Sequence, residues 1–468
     1  MKARKLLPAN LAASLLLGAT VARAAVLYTP LVVFDGTNGS TPAGALVQGN
    51  DGLLYGTASA GGINGATGTV FRLALDGTQF TNLYIFTGTS NGSDPVGGLV
   101  LGADGAFYGT TWAGGVSNCG TVFRITSDGS LTTLASFLNT NGASPDTPLT
   151  PVGDGSFYGG AAYGGSSTES SIGGVGFGVT FKVTTNGALS IPIFFARTNG
   201  SSPSQLVRMP DGNFYGATTW GGDTSHLTQG FGTLYRLAPD GSWTTIYNFS
   251  GGADGGFIYG GIAPASDGTL YGVTFNGGAR SLGSLFQCTT NGQLTTLYAF
   301  AGGADGAEPA GPLQQASDGN LYGTTYAGAA GFGTLFQFTP AGVGTTLVIF
   351  TGTGGSFPGS HARTQLLQAG DGNFYGVTQT GGAYNLGVLF RLSVPMPSRL
   401  LSISPSNGLL SSAWSSVAGQ NYQVQVSTNL ASGWSNFGSP FAATNGTIQI
   451  SESIGTDAQR FYRIALLP

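Results

Sequence analysis

The stretch Asp318-Gly-Asn-Leu-Tyr-Gly323 decides the fold of this chain, because near-copies of it recur at regular intervals. Every copy reads Asp-Gly, any residue, Leu or Phe, Tyr, Gly, and the copies recur about every 50 residues, which is the signature of a repeat architecture. The other six copies begin at Asp51, Asp104, Asp154, Asp211, Asp267 and Asp371. The sequence therefore predicts seven copies of one structural unit.

Each unit predicts four short β-strands. The hexapeptide is followed by a second motif, first seen as Gly68-Thr-Val-Phe-Arg-Leu73, and by a third that ends in Phe, as in Thr295-Thr-Leu-Tyr-Ala-Phe300. A short apolar run such as Gly98-Leu-Val-Leu101 precedes the hexapeptide. These segments are rich in β-branched and aromatic residues and are bounded by Asp-Gly or Asn-Gly turns, while helical periodicity is absent. Four-stranded units of this kind are typical of the blades of a β-propeller.

The order of the motifs predicts how the two ends of the repeats meet. The third motif occurs only six times after the first hexapeptide, and its missing copy stands near the start of the chain as Leu31-Val-Val-Phe34. An N-terminal strand that completes the last unit would close a ring and remove the free sheet edges of apolar strands. We therefore expect an all-β fold with a seven-bladed β-propeller over residues 25–394, closed by the N-terminal strand. A parallel β-solenoid is the alternative, although an open solenoid needs no such offset.

Two further segments flank the repeats. Residues 1–24 combine a basic start, an apolar stretch and a small-residue end at Ala22-Arg-Ala24, which predicts a cleaved signal peptide and export. After a linker at 395–398, residues 399–468 show alternating strand patterns and predict a small β-sandwich. This module resembles the short immunoglobulin or fibronectin-III-like modules that end many exported bacterial proteins.

Composition excludes several classes of function. Charged residues make up 8% of the chain, and 16 basic residues stand against 20 acidic ones, so the cationic surface of a nucleic-acid-binding protein is absent. No segment of the mature chain predicts a membrane span. Cys119 and Cys288 lie far apart in different repeat contexts and predict free thiols. We expect a monomer with no cofactor and no metal site, because the chain has no motif for either.

The repeated side chains predict structural roles. The aspartates of the hexapeptides suit hairpin turns, and the tyrosines are expected to pack between blades with their hydroxyls on backbone groups. A long polar residue recurs in the second motif, as in Arg72, Arg124 and Lys182. Its stem suits the side of a neighbouring blade, and a turn aspartate is the hypothesised partner of its charged head.

Candidate ligand-binding residues lie where longer loops follow the hexapeptide strand, because the opposite face carries tight Asp-Gly hairpins. Five units place an aromatic residue at that point. They are Trp112, Tyr163, Trp220, Phe275 and Tyr326. A partial ring of aromatic side chains suits stacking against sugar rings, and packing of the blade corners is the alternative interpretation.

Three segments resemble a known family, the GloVer tandem repeat of exported bacterial proteins. They are Asp318-Gly-Asn-Leu-Tyr-Gly-Thr-Thr325, Gly331-Phe-Gly-Thr-Leu-Phe-Gln337 and Gly302-Gly-Ala-Asp-Gly306. The resemblance covers roughly residues 30–394, and several of its motifs recur in order in most units. It implies export and a surface or extracellular setting, and it implies no known activity.

Together these patterns favour a secreted or cell-surface, non-enzymatic binding protein whose partner is a polysaccharide or another surface protein. One alternative is a glycan-acting hydrolase or lyase that uses acids of the long loops, such as Glu169 and Asp223. Another alternative is a structural component of a surface layer. His226 and His361 belong to distant units, so we expect both to be surface loop histidines.

Overall fold

The computed structural model describes residues 26–63, 66–88, 90–165, 176–225, 227, 229–406, 409–429, 433–453 and 460–467. The predicted signal peptide, residues 1–24, lies outside the described residues. The chain divides into two compact units. The larger comprises Tyr28–Leu367 and Tyr375–Arg391, and the smaller comprises Gln368–Phe374 and Leu392–Pro468 together with the described residues before Tyr28. The predicted boundaries at 394 and 398 remain predictions.

The repeats form seven separate antiparallel sheets within the described residues, numbered here 1 to 7 in the order of their hexapeptides. In each sheet the strands are called a, b, c and d in the order in which they are hydrogen-bonded, and the hexapeptide leads into strand b. In sheets 3, 4 and 6, strand a consists of two short segments. The described repeats contain no α-helix, and one 3-10 turn, Ala329–Gly331, precedes strand c of sheet 6.

The strand bounds follow the repeat period. Sheet 1 contains Val47–Gln48, Leu54–Ala58, Thr69–Leu73 and Thr81–Ile85; sheet 2 contains Leu99–Leu101, Phe107–Thr111, Thr121–Ile125 and Leu131–Ser136. Sheet 3 contains Ala143–Pro145, Thr150–Pro151, Ser156–Tyr163, Val179–Thr184 and Leu189–Phe194; sheet 4 contains Ser201–Pro203, Val207–Arg208, Phe214–Trp220, Thr233–Leu237 and Trp243–Asn248. Sheet 5 contains Ile262–Pro264, Leu270–Thr274, Ser284–Cys288 and Leu294–Ala299; sheet 6 contains Ala307–Pro309, Gln314–Gln315, Leu321–Ala327, Thr334–Phe338 and Gly344–Ile349. Sheet 7 contains Leu367–Gln368, Phe374–Thr378, Val388–Ser393 and, as strand d, Leu27–Val33.

The first described strand thus belongs to the last sheet. The amide of Phe34 donates a hydrogen bond to the carbonyl of Gly387 at 3.1 Å, and the ring of Tyr28 stacks on Phe390 with centroids 5.1 Å apart. The buried ring of Phe34 also lies 5.6 Å from Phe71 of sheet 1. The start of the repeats therefore contacts both sheet 7 and sheet 1.

The hexapeptide aspartate organises its own turn and its own tyrosine. In sheet 6, Asp318 accepts a hydrogen bond from the amide of Asn320 at 3.0 Å and another from the hydroxyl of Tyr322 at 2.8 Å. The prediction that the tyrosine hydroxyls reach backbone groups is wrong for five copies, in which they donate to the aspartate of the same hexapeptide. These are Tyr55, Tyr108, Tyr215, Tyr271 and Tyr322. The Asp-Gly turn, in which Gly319 has a φ of 80°, folds the chain so that the carboxylate meets the hydroxyl of the tyrosine four residues later.

The tyrosine rings pack against the neighbouring sheet. Tyr55 stacks on Phe107 of sheet 2 at 4.0 Å, and Tyr108 meets Phe157 of sheet 3 at 4.4 Å. Tyr375 differs in its hydroxyl bond, which goes to the backbone carbonyl of Leu75 at 3.1 Å. The hexapeptide tyrosines therefore join each sheet to the next.

The final glycine of each hexapeptide lies under an aromatic ring of strand c. A Cβ atom on Gly272 would lie 2.4 Å from the ring of Phe286, far inside van der Waals contact. The other copies give 2.6 Å for Gly56 on Phe71, 2.6 Å for Gly109 on Phe123, 2.3 Å for Gly159 on Phe181, 2.5 Å for Gly216 on Tyr235, 2.5 Å for Gly323 on Phe336 and 2.6 Å for Gly376 on Phe390. This glycine is therefore required by close packing in every sheet.

The hypothesis that the long polar residue of strand c reaches a turn aspartate is confirmed in three sheets, in one of them by the amide of Gln337, which donates to Asp318 at 3.4 Å. The guanidinium of Arg124 lies 2.8 Å from the carboxylate of Asp104, and the ammonium of Lys182 lies 2.9 Å from that of Asp154. Arg72 instead donates to the carbonyl of Ser127 at 3.0 Å. The polar residue therefore joins strand c either to its own turn or to the next sheet.

We expect Arg124→Met to lower the melting temperature by about 1–2 °C at pH 7, because a half-exposed ion pair contributes about 0.2–1 kcal/mol. Partial burial raises the pKa of Asp104, but the hydrogen bonds from Arg124, the Ala106 amide and Tyr108 outweigh it and lower that pKa overall. The stabilisation is therefore present above the unfolded pKa of about 3.9 and is lost as the pH falls below it. Thermal melts at pH 7 and pH 2.5 check this: the variant should match the wild type only in acid, and equal melting temperatures at pH 7 would contradict it.

The smaller unit contains two antiparallel sheets around one apolar cluster. Trp414 and Ile448 enter this cluster from one sheet, and Tyr422 and Ile464 enter it from the other. One sheet contains Leu400–Ser406, Leu409–Ser415 and Thr447–Ser453; the other contains Asn421–Ser427, Ser435–Asn436, Phe441–Ala442 and Phe461–Leu466. The immunoglobulin or fibronectin-III-like character of this module remains a prediction. Outside it, Cys119 and Cys288 are free, as predicted.

Candidate functional site

The end of strand b lies beside the segment that joins strand d of the preceding sheet to strand a. This segment is called here the d–a loop, and in sheets 3, 4 and 6 it includes the first short segment of strand a. The amide of Trp112 donates to the carbonyl of Asp94 at 2.9 Å, and the amide of Phe275 donates to that of Phe257 at 3.0 Å. The five predicted aromatic residues therefore share an edge of their sheets with a second row of side chains, those of the d–a loops. This edge, with the loops from strand b to strand c, is called the loop face.

The structure brings four of the five predicted residues together in pairs. The ring centroids of Trp112 and Tyr163 lie 5.8 Å apart, and those of Phe275 and Tyr326 lie 6.4 Å apart. Trp220 instead packs against Phe257 at 4.6 Å. Tyr163 is 41% exposed, whereas the other four are half-buried. Packing between neighbouring sheets thus accounts for much of the aromatic set, and its role in binding stays a prediction.

Tyr259 also belongs to the candidate site, although the sequence did not predict it. It lies in the d–a loop before strand a of sheet 5, is 46% exposed, and meets Phe275 edge-on at 5.0 Å. Burial raises the pKa of Tyr259, Arg363 acts in the opposite direction, and Tyr163 adds to the rise. Arg363 and Tyr163 are therefore both within electrostatic reach of Tyr259.

His361 is not the free surface histidine that the sequence predicted. Its ring lies 4.4 Å from that of Tyr326, and its Nδ1 lies 2.8 Å from the hydroxyl of Thr380. Burial and the nearby Arg363 lower the pKa of His361, so its imidazole is neutral at pH 7. The guanidinium carbon of Arg363 stands 4.1 Å from the centroid of the Tyr326 ring. His226 lies outside the described residues.

Left-handed glycines such as Gly92 and Gly200 occur in the d–a loops. At one further, equivalent position each d–a loop has a left-handed residue, and none of these seven is glycine. They are Thr41, Asp94, Ser144, Ser202, Phe257, Glu308 and His361, with φ angles from 52° to 61°. Each amide donates to a carbonyl in the b–c loop of another sheet, as from His361 to Phe332 at 3.1 Å and from Thr41 to Leu386 at 2.8 Å. A left-handed non-glycine residue costs about 1 kcal/mol, and such strain concentrates at functional sites. The sequence contains 82 glycines and has none at these seven positions, so each of the seven positions keeps a side chain.

We expect Ser202→Gly to raise the free energy of unfolding by about 0.5–1 kcal/mol, because glycine adopts a left-handed backbone without strain. Ser190, exposed in strand d of sheet 3, is the matched control. Glycine in a strand lowers stability by about 0.5–1 kcal/mol, so Ser190→Gly should act in the opposite direction. Urea unfolding of both variants measures the two signs, and a loss of stability in Ser202→Gly would show that the strain is absent.

The structure does not show a pair formed by Glu169 and Asp223, the two acids that the sequence suggests for an enzyme. Glu169 lies outside the described residues, and Asp223 accepts a hydrogen bond from the Ser225 amide at 2.8 Å. A different acid has the properties of a proton donor. Asp146, two residues after Ser144, has a buried Oδ1 without a hydrogen-bond partner among the described residues, and burial raises its pKa to about 7. The residue carried no distinguishing sequence motif.

Comparison with known protein families identifies the chain as a repeat protein. The sequence model of a family described as the Gloeobacter/Verrucomicrobia repeat matches residues 20–175 and 167–365. No curated protein sequence matches the chain. Within the residues that the structure describes, no helix has the length and hydropathy needed to cross a membrane.

Two solved structures are similar to this chain, and the likeness in fold rests on the first of them alone. One is described as the extracellular domain of a hybrid two-component system from B. thetaiotaomicron, with 13% identity and a TM-score of 0.51 over 83% of this chain and 45% of that chain. The other is described as a 6-phosphogluconolactonase from Bacteroides uniformis, with 14% identity and a TM-score of 0.41 over 64% of this chain and 83% of that one. The present chain thus spans less than half of the first protein. The present chain is a β-propeller-like, all-β repeat protein.

Proposed function

The chain belongs to the Gloeobacter/Verrucomicrobia repeat family, and on that premise we propose that it is an exported or cell-surface protein whose seven sheets close into a propeller that binds a polysaccharide. The loop face is the proposed binding surface, and the protein acts as a binding module without catalysis of its own. Another surface protein is the alternative partner.

Ring closure is supported by contacts between the first and last repeats. Leu27–Val33 is strand d of sheet 7, and the hydroxyl of Tyr375 donates to Leu75 near the end of the first unit. The amide of Thr41 reaches Leu386 of the last repeat in the same way that the other six left-handed residues reach the repeat before them. A closed ring gives all seven d–a loops a common face and leaves only short, protected sheet edges.

Polysaccharide binding rests on one observation, the exposure of Tyr163 and Tyr259 within a belt of aromatic side chains. Tyr163 touches Trp112, and Tyr259 touches Phe275. Exposed aromatic side chains of this kind mark interaction sites, because their flat apolar faces are left in water unless a ligand covers them. Sugar rings present the complementary apolar face, with hydroxyls at their edges for the phenols.

We expect the double variant Tyr163→Ala/Tyr259→Ala to weaken binding of residues 25–468 to its best glycan at least tenfold, which corresponds to about 1.4 kcal/mol. An array of plant, algal and microbial glycans identifies that glycan, and a titration then measures its affinity. Phe437→Ala, which removes a 39% exposed ring from the smaller unit, is the matched control and should bind as the wild type does. Binding to no glycan, or equal affinity for the double variant, would refute the proposal and favour a protein partner or a structural role in a surface layer.

A glycan-acting enzyme is the second candidate, and the raised pKa of Asp146 is the observation that favours it. A carboxyl group that stays protonated near neutral pH suits a general acid. If the array glycan is cleaved, Asp146→Asn should abolish the release of new chain ends while leaving binding intact. Cleavage that survives this change would exclude Asp146 as the acid.

A further inference from the structure

The d–a loops combine one backbone with seven different side-chain sets. The left-handed residue and its inter-sheet hydrogen bond are common to all seven, yet that residue is hydroxylic, acidic, aromatic or imidazole in different sheets. The position two residues further on varies as widely, with Asp146, Tyr259 and Arg363 among its occupants. A rigid framework that displays variable side chains is the arrangement from which binding loops are built.

In sheet 7 this loop carries an uncompensated cation. Arg363 is exposed and is held over the ring of Tyr326. The ion pairs among the described residues are Arg124 with Asp104, Lys182 with Asp154 and Arg460 with Glu452, and Arg363 takes part in none of them. A guanidinium that is stacked on an aromatic ring keeps its edge free, and that edge matches a planar carboxylate with two parallel hydrogen bonds.

The surroundings of Arg363 supply stacking surface. His361 is neutral at pH 7, and its Nδ1 is engaged by the hydroxyl of Thr380. Tyr259 belongs to the same group of rings as Tyr326, because it meets Phe275 at 5.0 Å and Phe275 lies 6.4 Å from Tyr326, and it presents an exposed phenol. One side of this subsite therefore attracts a negative charge, while the other offers an aromatic face.

We propose that Arg363 binds the carboxylate of a uronic-acid residue while Tyr259 stacks on the sugar ring, so that the ligand of the loop face is an anionic, carboxylated polysaccharide. This inference rests on the proposed function and adds the chemical class of the ligand. It also explains how a chain with a net charge of −4 binds a polyanion, since the contact depends on one local cation.

Polygalacturonate and its fully methyl-esterified form test the inference, because the two polymers differ in the charge of the carboxyl group. We expect residues 25–468 to bind polygalacturonate at least tenfold more tightly than the ester. Arg363→Gln should remove that preference, so that the variant binds the two polymers with equal affinity. Arg208→Gln, at an exposed arginine in strand a of sheet 4 that also lies over an aromatic ring, that of Phe214, is the matched control and should keep the preference.

Equal affinity of the wild type for the two polymers, or an undiminished preference in Arg363→Gln, would overturn the inference. If the wild type binds neutral glycans of the array and not polygalacturonate, the proposed polysaccharide-binding function stands and the carboxylate subsite is wrong. If it binds no glycan at all, both fail. Circular dichroism of Arg363→Gln distinguishes loss of the subsite from loss of the fold.

Discussion

Gly272→Ala is expected to destabilise the larger unit by about 2–3 kcal/mol, near the upper end of the range for overpacking a well-filled core. The added methyl group would lie 2.4 Å from the ring of Phe286, which is fully buried and cannot turn aside. Leu270 and Cys288 belong to the same cluster and are themselves fully buried, so the ring has no space into which to move. Urea unfolding followed by tryptophan fluorescence measures the loss.

Gly354→Ala is the matched control, because a Cβ at that position meets nothing within 4 Å and the backbone there is not left-handed. It should leave the free energy of unfolding within about 0.5 kcal/mol of the wild type, as expected for surface changes. The double variant Gly272→Ala/Phe286→Leu should recover part of the loss by removing the ring edge. Equal stability of the two glycine variants would mean that the hexapeptide glycine has no packing role.

The second large effect is expected for Tyr28→Ala, which should lower the free energy of unfolding by about 3–5 kcal/mol, the range for removal of a buried aromatic side chain. Tyr28 is 7% exposed, stacks on Phe390 and meets Phe357 edge-on at 5.7 Å. Its hydroxyl donates to the carbonyl of Pro358 at 2.5 Å. All these partners lie more than 300 residues later in the chain, so the change tests the pairing of the two ends.

Leu27→Ala provides the comparison on the same strand, since Leu27 is 56% exposed and its removal should change stability by less than about 0.5 kcal/mol. Thermal and urea unfolding of both variants, with the wild type alongside, gives the difference. A Tyr28→Ala variant as stable as Leu27→Ala would contradict the account, because the N-terminal strand would then contribute little to sheet 7.

The strands of the repeats were predictable because their signals recur. The hexapeptide Asp318-Gly-Asn-Leu-Tyr-Gly323 combines a turn pair with an apolar and aromatic strand start, and seven copies reinforce one another. Partners of individual side chains were less predictable. The tyrosine hydroxyls were assigned to backbone groups, although a carboxylate four residues earlier, as in Asp318 and Tyr322, is brought to the hydroxyl by the turn and accepts the bond.

The candidate site was only partly predictable for a different physical reason. The aromatic residues at the ends of strand b stand three or four residues after the hexapeptide, so Tyr163 and Tyr326 were found. The d–a loops share a backbone and no residue type, so Tyr259, His361 and Arg363 gave no recurring signal. Their common left-handed φ angle is a property of the folded chain, and only the structure reveals it.

Hydrogen–deuterium exchange of residues 25–468, with and without polygalacturonate, tests most directly the claim that the loop face is a binding surface for an acidic polysaccharide. We expect slower exchange in the d–a loops at 256–262 and 359–366 when the polymer is present. We expect no change in the exchange rate of the Asp-Gly hairpins of the opposite face, such as Asp318–Gly319. Protection that is confined to those hairpins or to residues 399–468, or no protection anywhere, would contradict the claim.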